Sequence, residues 1–528
     1  RGSVHAPIRY PCPSASPEIP GPRDAMALLL RIALASLLRT AASRGARAPA
    51  DEVALLQARL SQTEGAAPQT SEQRLQVAMD MARSRHPDLG PNVSVNNVVQ
   101  PMINFGDAQY ISYMQMGKQM ISGIVDTGSF ELVVFGADCA SCAVAAHYSN
   151  HLSNTYEPGT LATTHNYGSG GARCNEGFEQ VSIGPYPATR QMFWEVIDAQ
   201  MPVLQNAAFE SIIGVGPTEA ALLEVWKEVD YYVNNLTSYF DQAMVPPQPA
   251  VDNAQTMVKI AIQLAGELPM MHTWKVPLFS ICLGEQHGSD GIIVWNDTAP
   301  FDKQDLFVRV PVMADTHTWS ASLTGAALLH ENGTETSLGC GHGCEALIDS
   351  GTSLLAAPTS VIDGIITAME ALDESCSNLD VLPELTFQLG GFNFSLPPSA
   401  YVAHVVGEPS GYARSHLSGV RSRGSTRTRQ CELVMLDTGS SFGEGDLWIL
   451  GDPWFRKYYT TFEFGESVEE RQFHIALHSD SECTPVQAAS DMAARRGKQQ
   501  RPRDIKGDLL HLPNPRRGAS RREWARRQ

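Results

Sequence analysis

The sequence predicts an all-β chain built as two related halves, and three observations carry that expectation. A six-residue motif occurs twice, as I-V-D-T-G-S at residues 124–129 and as L-I-D-S-G-T at residues 347–352. Each copy runs on into a short apolar, strand-like stretch, Leu132–Phe135 after the first and Leu354–Ala357 after the second. Each is answered far downstream by apolar-apolar-Gly: Ile212-Ile213-Gly214, 88 residues after Asp126, and Ile449-Leu450-Gly451, 102 residues after Asp349. A single D-[ST]-G arises often by chance. Two copies, each with its own distant partner, mark an internal repeat.

Composition agrees with a folded body. Of 528 residues, 43% are apolar and 18% charged, enough to bury a large core and too apolar for a disordered chain. No uninterrupted apolar run reaches the ~18–20 residues of a spanning helix, so no transmembrane anchor is expected. The formal charge is −18 and uneven: residues 484–528 hold 12 of the 39 basic residues and 4 of the 57 acidic ones. The remainder carries 27 basic against 53 acidic residues, a formal −26. A body that acidic repels nucleic acid, and none is expected as a partner.

From the N-terminus, residues 1–25 are expected to be an upstream extension absent from the mature protein. Residues 26–48 begin MALLLRIALASLLRT, an apolar run followed by small residues, and read as a signal peptide despite Arg31. Residues 49–95 are polar and helix-permissive and fit a pro-segment. Residues 51–100 contain no Lys and four Arg against six acids, so charge alone does not hold this segment on an acidic body. Either Arg83 or Arg85 pairs with the site carboxylates, or the precursor is weakly inhibited. Residues 484–528 are Arg-rich without an apolar period and are expected to be a basic, disordered, solvated tail.

The chemistry of the repeat explains its spelling. A buried strand end delivers each carboxylate, and Gly128 and Gly351 allow a tight turn and close approach of two backbones. The hydroxyls three positions on, Ser129 and Thr352, can hydrogen-bond the carboxylates of Asp126 and Asp349 and hold them in plane. If the halves pack about a pseudo-twofold axis, the two Asp face each other and share one proton, since both cannot ionise readily. One then takes a proton from a water that attacks a peptide carbonyl, and the other protonates the carbonyl oxygen.

At this point the chain resembles the pepsin-like aspartic proteases, over about residues 100–480. Tyr167-Gly168-Ser169-Gly170, 41 residues after Asp126, looks like the flap hairpin whose Tyr closes over substrate. Phe209–Gly214 resembles the end of the first lobe's motif, Cys340-Gly-His-Gly-Cys344 a small disulfide loop, and Trp448–Asp452 with Phe455–Tyr459 the closing segment. The resemblance implies a bilobal pepsin-like fold with a cleft between the lobes. It places an N-terminal lobe at 96–278 and a C-terminal lobe at 279–483. It implies an aspartic endopeptidase that cuts extended peptides, needs no cofactor or metal, and acts as a monomer on peptide or protein substrates. It also implies disulfides Cys340–Cys344 and Cys376–Cys431, and a Cys282–Cys483 bridge as in memapsin-type relatives. Cys139, Cys142 and Cys174 stay unassigned.

The sequence departs from the pattern D-T-G-S-S-x-L-W: Phe130 replaces the second Ser and Val133 replaces the Trp that ordinarily anchors the flap Tyr. Trp194 is a candidate substitute. These two departures support an alternative function, a catalytically weak or inactive homologue that binds peptides. The long connection from Thr218 to Lys275 has helical spacing at Leu222, Val225, Trp226 and Val229 and reads as an extra helix. A stretch near 404–430 reads as a surface loop. A third D-T-G-S-S, at Asp437–Ser441, lacks its own apolar-apolar-Gly partner and is set aside as a catalytic site. Gly439–Gly443 spells G-x-S-x-G, but no helix follows as that serine-hydrolase turn requires. The pair Cys139/Cys142 has no second Cys or His pair to complete a metal site. Ten Cys and sequons at Asn92, Asn235, Asn296, Asn332 and Asn393 suit the secretory pathway, with the protein secreted or in an acidic vacuolar or lysosomal compartment.

Overall fold

The computed structural model describes residues 96–528 apart from 168–169, 218–219, 242–243, 245, 265, 315, 317, 370–371, 374–375, 407–428, 440–445, 480–482, 488–501, 511–523 and 527–528. The expected signal peptide and pro-segment lie outside the described residues. So do Arg83, Arg85, Asn92, Gly168, Ser169, most of the 404–430 loop and the side chain of Cys431.

The chain divides into two compact units. Leu222–Gly266 belongs to one; Pro87–Ala221 with Glu267–Gln528 forms the other. The first holds all but the first two residues of the helix read from sequence, Ala220–Asp241, with Val225, Val229 and Leu236 buried. It also holds a second helix, Gln248–Leu264, which buries Val251, Ala254, Val258 and Ala261. Those positions recur every three or four residues, the period of a one-faced helix, and the sequence reading passed over them.

The larger unit is mostly β-sheet. In its first half the strand Gln119–Asp126 runs parallel to Ser211–Gly214, with Asp126 opposite Gly214. Leu132–Phe135 lies antiparallel on the other side of that short strand, Leu132 opposite Ile213. The second half repeats this arrangement. Cys344–Ile348 runs parallel to Leu447–Leu450, and Leu355–Ala357 lies antiparallel to it. The distant apolar-apolar-Gly is thus the central strand of each motif. These strands are buried on both faces, which is why they spell continuous apolar runs rather than alternation.

Six further strands form a spine between the halves. Val98–Phe105, Gly291–Trp295, Leu278–Leu283, Tyr458–Glu463, Gln472–His478 and Val308–Pro311 pair antiparallel in that order. An aromatic core sits on it: Phe279 stacks on Phe462 at 5.0 Å, and Trp319 meets Phe464 edge-on at 5.0 Å. Such pairs add about 0.5–1.5 kcal/mol each beyond their buried area. The fold is bilobal and pepsin-like, as the two repeated motifs predict.

The tail corrects the sequence reading. Arg503–Lys506 is a strand parallel to Val402–Val406, and Ile505, Leu509 and Leu510 are buried. Trp524–Arg526 pairs antiparallel with Leu161–Thr163. The abundance of Arg masked Ile505, Leu509 and Leu510, too few apolar positions to register as a period. One sequon is corrected as well. Asn296 is 6% exposed and accepts a hydrogen bond from Tyr186 Oη at 2.8 Å, so a glycan has no room there. Asn235, Asn332 and Asn393 are exposed.

Candidate active site

The two Asp-Ser/Thr-Gly turns meet back to back in the larger unit. In the first, the Gly128 N–H donates to Asp126 Oδ1 at 2.9 Å and Ser129 Oγ donates to Oδ2 at 2.5 Å. In the second, the Gly351 N–H donates to Asp349 Oδ1 at 2.9 Å and Thr352 Oγ1 to Oδ2 at 2.7 Å. Each carboxylate is therefore fixed in plane by one backbone and one side-chain donor, both from its own turn. Both Asp are nearly buried, at 5% and 3% exposure.

The turns also lock each other. Thr127 Oγ1 donates to the Ile348 carbonyl at 2.9 Å and accepts from the Ser350 N–H at 2.9 Å. Ser350 Oγ donates to the Val125 carbonyl at 2.6 Å and accepts from the Thr127 N–H at 3.2 Å. These four buried bonds contribute on the order of 1 kcal/mol each. They explain why the residue after each Asp is a hydroxyl.

The glycines explain themselves by what a side chain would strike. A Cβ on Gly128 would lie 2.5 Å from Asp349 Oδ1, and one on Gly351 would overlap Asp126 Oδ1. Each carboxylate thus lies against the other turn's glycine. A Cβ on Gly214 or Gly451 would strike the backbone of the strand entry beside it, at Glu131 and Leu354. Trp319 Nε1 donates to the Val215 carbonyl at 3.0 Å, adding a bond from the second half to the loop after Gly214.

Tyr167 ends the strand Glu157–Tyr167 and pairs with Gly170 across the hairpin. The ring of His165 stacks on it, centroids 6.3 Å apart, and meets Trp194 at 5.6 Å. Trp194 stands opposite Val133 in the parallel pair of strands and donates from Nε1 to Glu131 Oε1 at 2.8 Å. His165 Nδ1 lies 3.5 Å from Glu131 Oε2, with both side chains buried. Sequence reasoning named Trp194 and missed Glu131 and His165. A carboxylate five residues after Asp126, within an otherwise apolar strand entry, was the available signal.

Asp437 has other partners. Its Oδ1 accepts from Thr359 Oγ1 and from the Gly439 N–H, both at 2.8 Å, and its strand runs parallel to Leu355–Ala357. Cys282–Cys483 and Cys340–Cys344 are bridged, and so are Cys139 and Cys142. Cys376 is also disulfide-bonded, and Cys174 is a buried thiol donating to the Ala172 carbonyl. Among the described residues, the cluster of metal-type donors is Cys282, His478 and Cys483. Its two sulfurs are joined to each other, and the ring nitrogens of His478 face the Ser479 and Phe455 carbonyls at 2.9 and 3.2 Å.

The model of the eukaryotic aspartyl protease family matches residues 109–469, which include both turns, the flap strand and the closing segment. The chain belongs to the eukaryotic aspartyl protease family. It is 26% identical to pepsin A of Bos taurus over 379 residues, covering 70% of this chain and 85% of that protein. Cathepsin E of Rattus norvegicus is 26% identical over 380 residues, 70% of this chain and 80% of the relative. Cathepsin E of Mus musculus is 27% identical over 385 residues, 70% and 82% respectively. Family membership makes a peptide hydrolase the natural reading of the paired turns. Among the described residues no helix is long and apolar enough to cross a membrane.

Proposed function

We propose that the protein is an aspartic endopeptidase whose catalytic pair is Asp126 and Asp349. The observation that carries this reading is the reciprocal packing of each carboxylate against the other turn's glycine. In the proposed mechanism one carboxyl group of the pair is ionised and the other protonated. The ionised member takes a proton from a water held between the two. The resulting hydroxide attacks the peptide carbonyl carbon while the protonated member donates to the carbonyl oxygen. The acid that took the water's proton then passes it to the nitrogen, the C–N bond breaks to release the amine, and the other carboxylate recovers its proton from a hydroxyl of the tetrahedral carbon as the C=O bond re-forms. Ser129, Thr352 and the Gly128 and Gly351 N–H groups keep the carboxylates in place through these transfers. Tyr167, at the end of its strand, closes over an extended peptide.

The substrates are peptides or proteins, the working form is a monomer, and the cystines with the exposed sequons support a secretory or acidic vacuolar location. The test is cleavage of an unstructured protein at pH 3–6, with and without pepstatin. Pepstatin-sensitive cleavage is expected. Tight peptide binding without turnover would instead establish the inactive, peptide-binding homologue that Phe130 and Val133 suggest.

A further inference from the structure

The segment Arg503–Leu510 sits in a groove that the rest of the body builds without it. One wall is the strand Val402–Val406, whose far edge is already taken by Arg429–Leu433. Its free edge accepts Arg503–Lys506, with Ala403 opposite Arg503 and Val406 opposite Lys506. These three strands form a small sheet separate from the two large ones, so withdrawing the segment breaks no other pairing. The floor is apolar: Ile505, Leu509 and Leu510 cluster with Ala108, Val405 and Leu436, and with Leu347 and Leu354 from the second motif.

At the closed end of the groove stands a buried carboxylate. Asp107 is fully buried, and its carboxylate is held by Asn104 Nδ2 at 2.6 Å, by the Gly288 N–H and by His287. All three holders belong to the body, as does the buried Arg456, which donates to the Asp107 backbone carbonyl at 2.8 Å and whose charge already acts on the carboxylate; the acid takes a further cation from the tail. Arg503 Nη1 supplies one, 3.3 Å from Asp107 Oδ1 and 3.3 Å from the Gln286 carbonyl. Two backbone contacts fix the register: Lys506 N–H to the Gly106 carbonyl at 3.1 Å, and Gln109 Nε2 to the Leu509 carbonyl at 2.7 Å. An open strand edge and apolar seats at fixed spacing are what strand-addition peptide sites are made of, and the buried carboxylate fixes where the arginine sits.

Beyond the groove, Trp524–Arg526 pairs with Leu161–Thr163, and Trp524 stands opposite Thr163. Thr163 is on the same strand as Tyr167. The tail thus touches the flap as well as the back of the second motif. Arg503 also acts on the buried Asp452, the residue after Gly451. Burial pushes the Asp452 carboxyl well above the usual range; Arg456 and Arg503 oppose that shift, while Asp349 and Asp107 add to it.

We propose that this groove is a docking site for an extended Arg-x-Ile-x-x-x-Leu-Leu peptide, that the chain's own tail is its exchangeable occupant, and that occupancy restrains the flap. The docking stands by itself; the restraint of the flap rests on the proteolytic reading above. A fluorescent peptide spanning Pro502–Leu510 is titrated into two full-length proteins, Asp126→Asn and Asp126→Asn with Arg503→Ala and Ile505→Asp. The first substitution prevents cleavage of the probe, so binding is read whether or not the protein is a protease. The tethered copy competes at an effective concentration of about millimolar, so the chain with the unseated tail is expected to bind the probe at least about tenfold more tightly. A probe carrying the same two tail substitutions is expected to bind neither. Equal binding to both proteins, or no binding to the unseated one, overturns the proposal.

A second measurement needs no tail variant. Excess probe added to the Asp126→Asn chain is expected to raise amide exchange at Leu161–Thr163 about tenfold, as Trp524–Arg526 leaves. Unchanged exchange there overturns the link to the flap. In protein with Asp126 intact, Arg503→Ala with Ile505→Asp is expected to change the KM for peptides several-fold. A KM identical to wild type, with probe binding confirmed, removes the restraint and keeps the docking.

Discussion

The two Asp turns are near copies in their chemistry and unlike in their support. Each carboxylate takes a backbone donor at 2.9 Å and a hydroxyl donor from its own turn. Around the first, Gly128, Ser129 and Phe130 are only half-buried, and the backing is polar: Glu131 with Trp194 and His165. Around the second, every residue from Asp349 to Pro358 is buried, and the backing is the apolar cluster of Leu347, Leu354 and Ile449 with the tail's Ile505, Leu509 and Leu510. The bonding within a turn sets what the carboxylates can do. The backing sets how much each turn can move, and the half-open turn is the one that lies on the flap's side of the chain.

The sharpest test of the likeness is removal of either acid. Asp126→Asn and Asp349→Asn are each expected to lower kcat by on the order of 10²–10⁴-fold, alike to within about tenfold, in steady-state assays at acid pH. One dead variant beside one live one would break the equivalence. The unlike backings come next. Burial pushes the Asp107 carboxyl up, but Arg456, Arg503, Asn104 and His287 together hold it below its ordinary 3.8. A carboxyl lowered in the folded state contributes stability that is complete above 3.8 and is lost as pH falls through the folded value. Asp107→Asn is thus expected to cost about 3 kcal/mol at pH 6, with the Tm gap to wild type narrowing below pH 3.8.

On the polar side, Glu131→Leu removes the acceptor of the Trp194 N–H and the partner of His165. A loss of about 1–3 kcal/mol is expected by denaturant unfolding, with Glu131→Gln keeping most of the stability. Thr127→Val and Ser350→Ala each delete two bonds of the lock. They are expected to cost about 2 kcal/mol each and to agree within about 1 kcal/mol. Unequal costs would mean that the two halves do not share the lock evenly. The smallest effect is expected at Asp437→Asn, whose contacts to Thr359 and Gly439 are local: activity within about twofold of wild type and a stability loss below about 1 kcal/mol.

The architecture of the paired motifs was legible because each buried strand end is spelled by four or more consecutive residues whose types are forced. Asp126-Thr127-Gly128-Ser129 and Asp349-Ser350-Gly351-Thr352 each combine an acid, a locking hydroxyl, a glycine that must be bare and an orienting hydroxyl. The tail was illegible for the opposite reason. Its seat depends on Asp107, 396 residues before Arg503, and on Val402–Val406, 100 residues before its paired strand, and only three apolar side chains in a basic stretch announce it. Glu131 and His165 were missed because a buried contact between a residue just before one strand and a residue on another leaves no periodic trace in either. The second helix, Gln248–Leu264, was readable and was passed over.

The hydroxyl lock and the crossed glycines have a consequence for the newborn chain. Ile348 and Ser350 are synthesised more than 200 residues after Thr127, yet they complete its bonds. Until the second half emerges and docks, Asp126 has no opposing acid, and no pair exists to share a proton. Assembly of the machinery is therefore a late event in folding, one that requires both halves to be nearly native. Under the proposed chemistry, partly folded copies are silent during the interval when their own unfolded stretches would be the easiest substrates at hand.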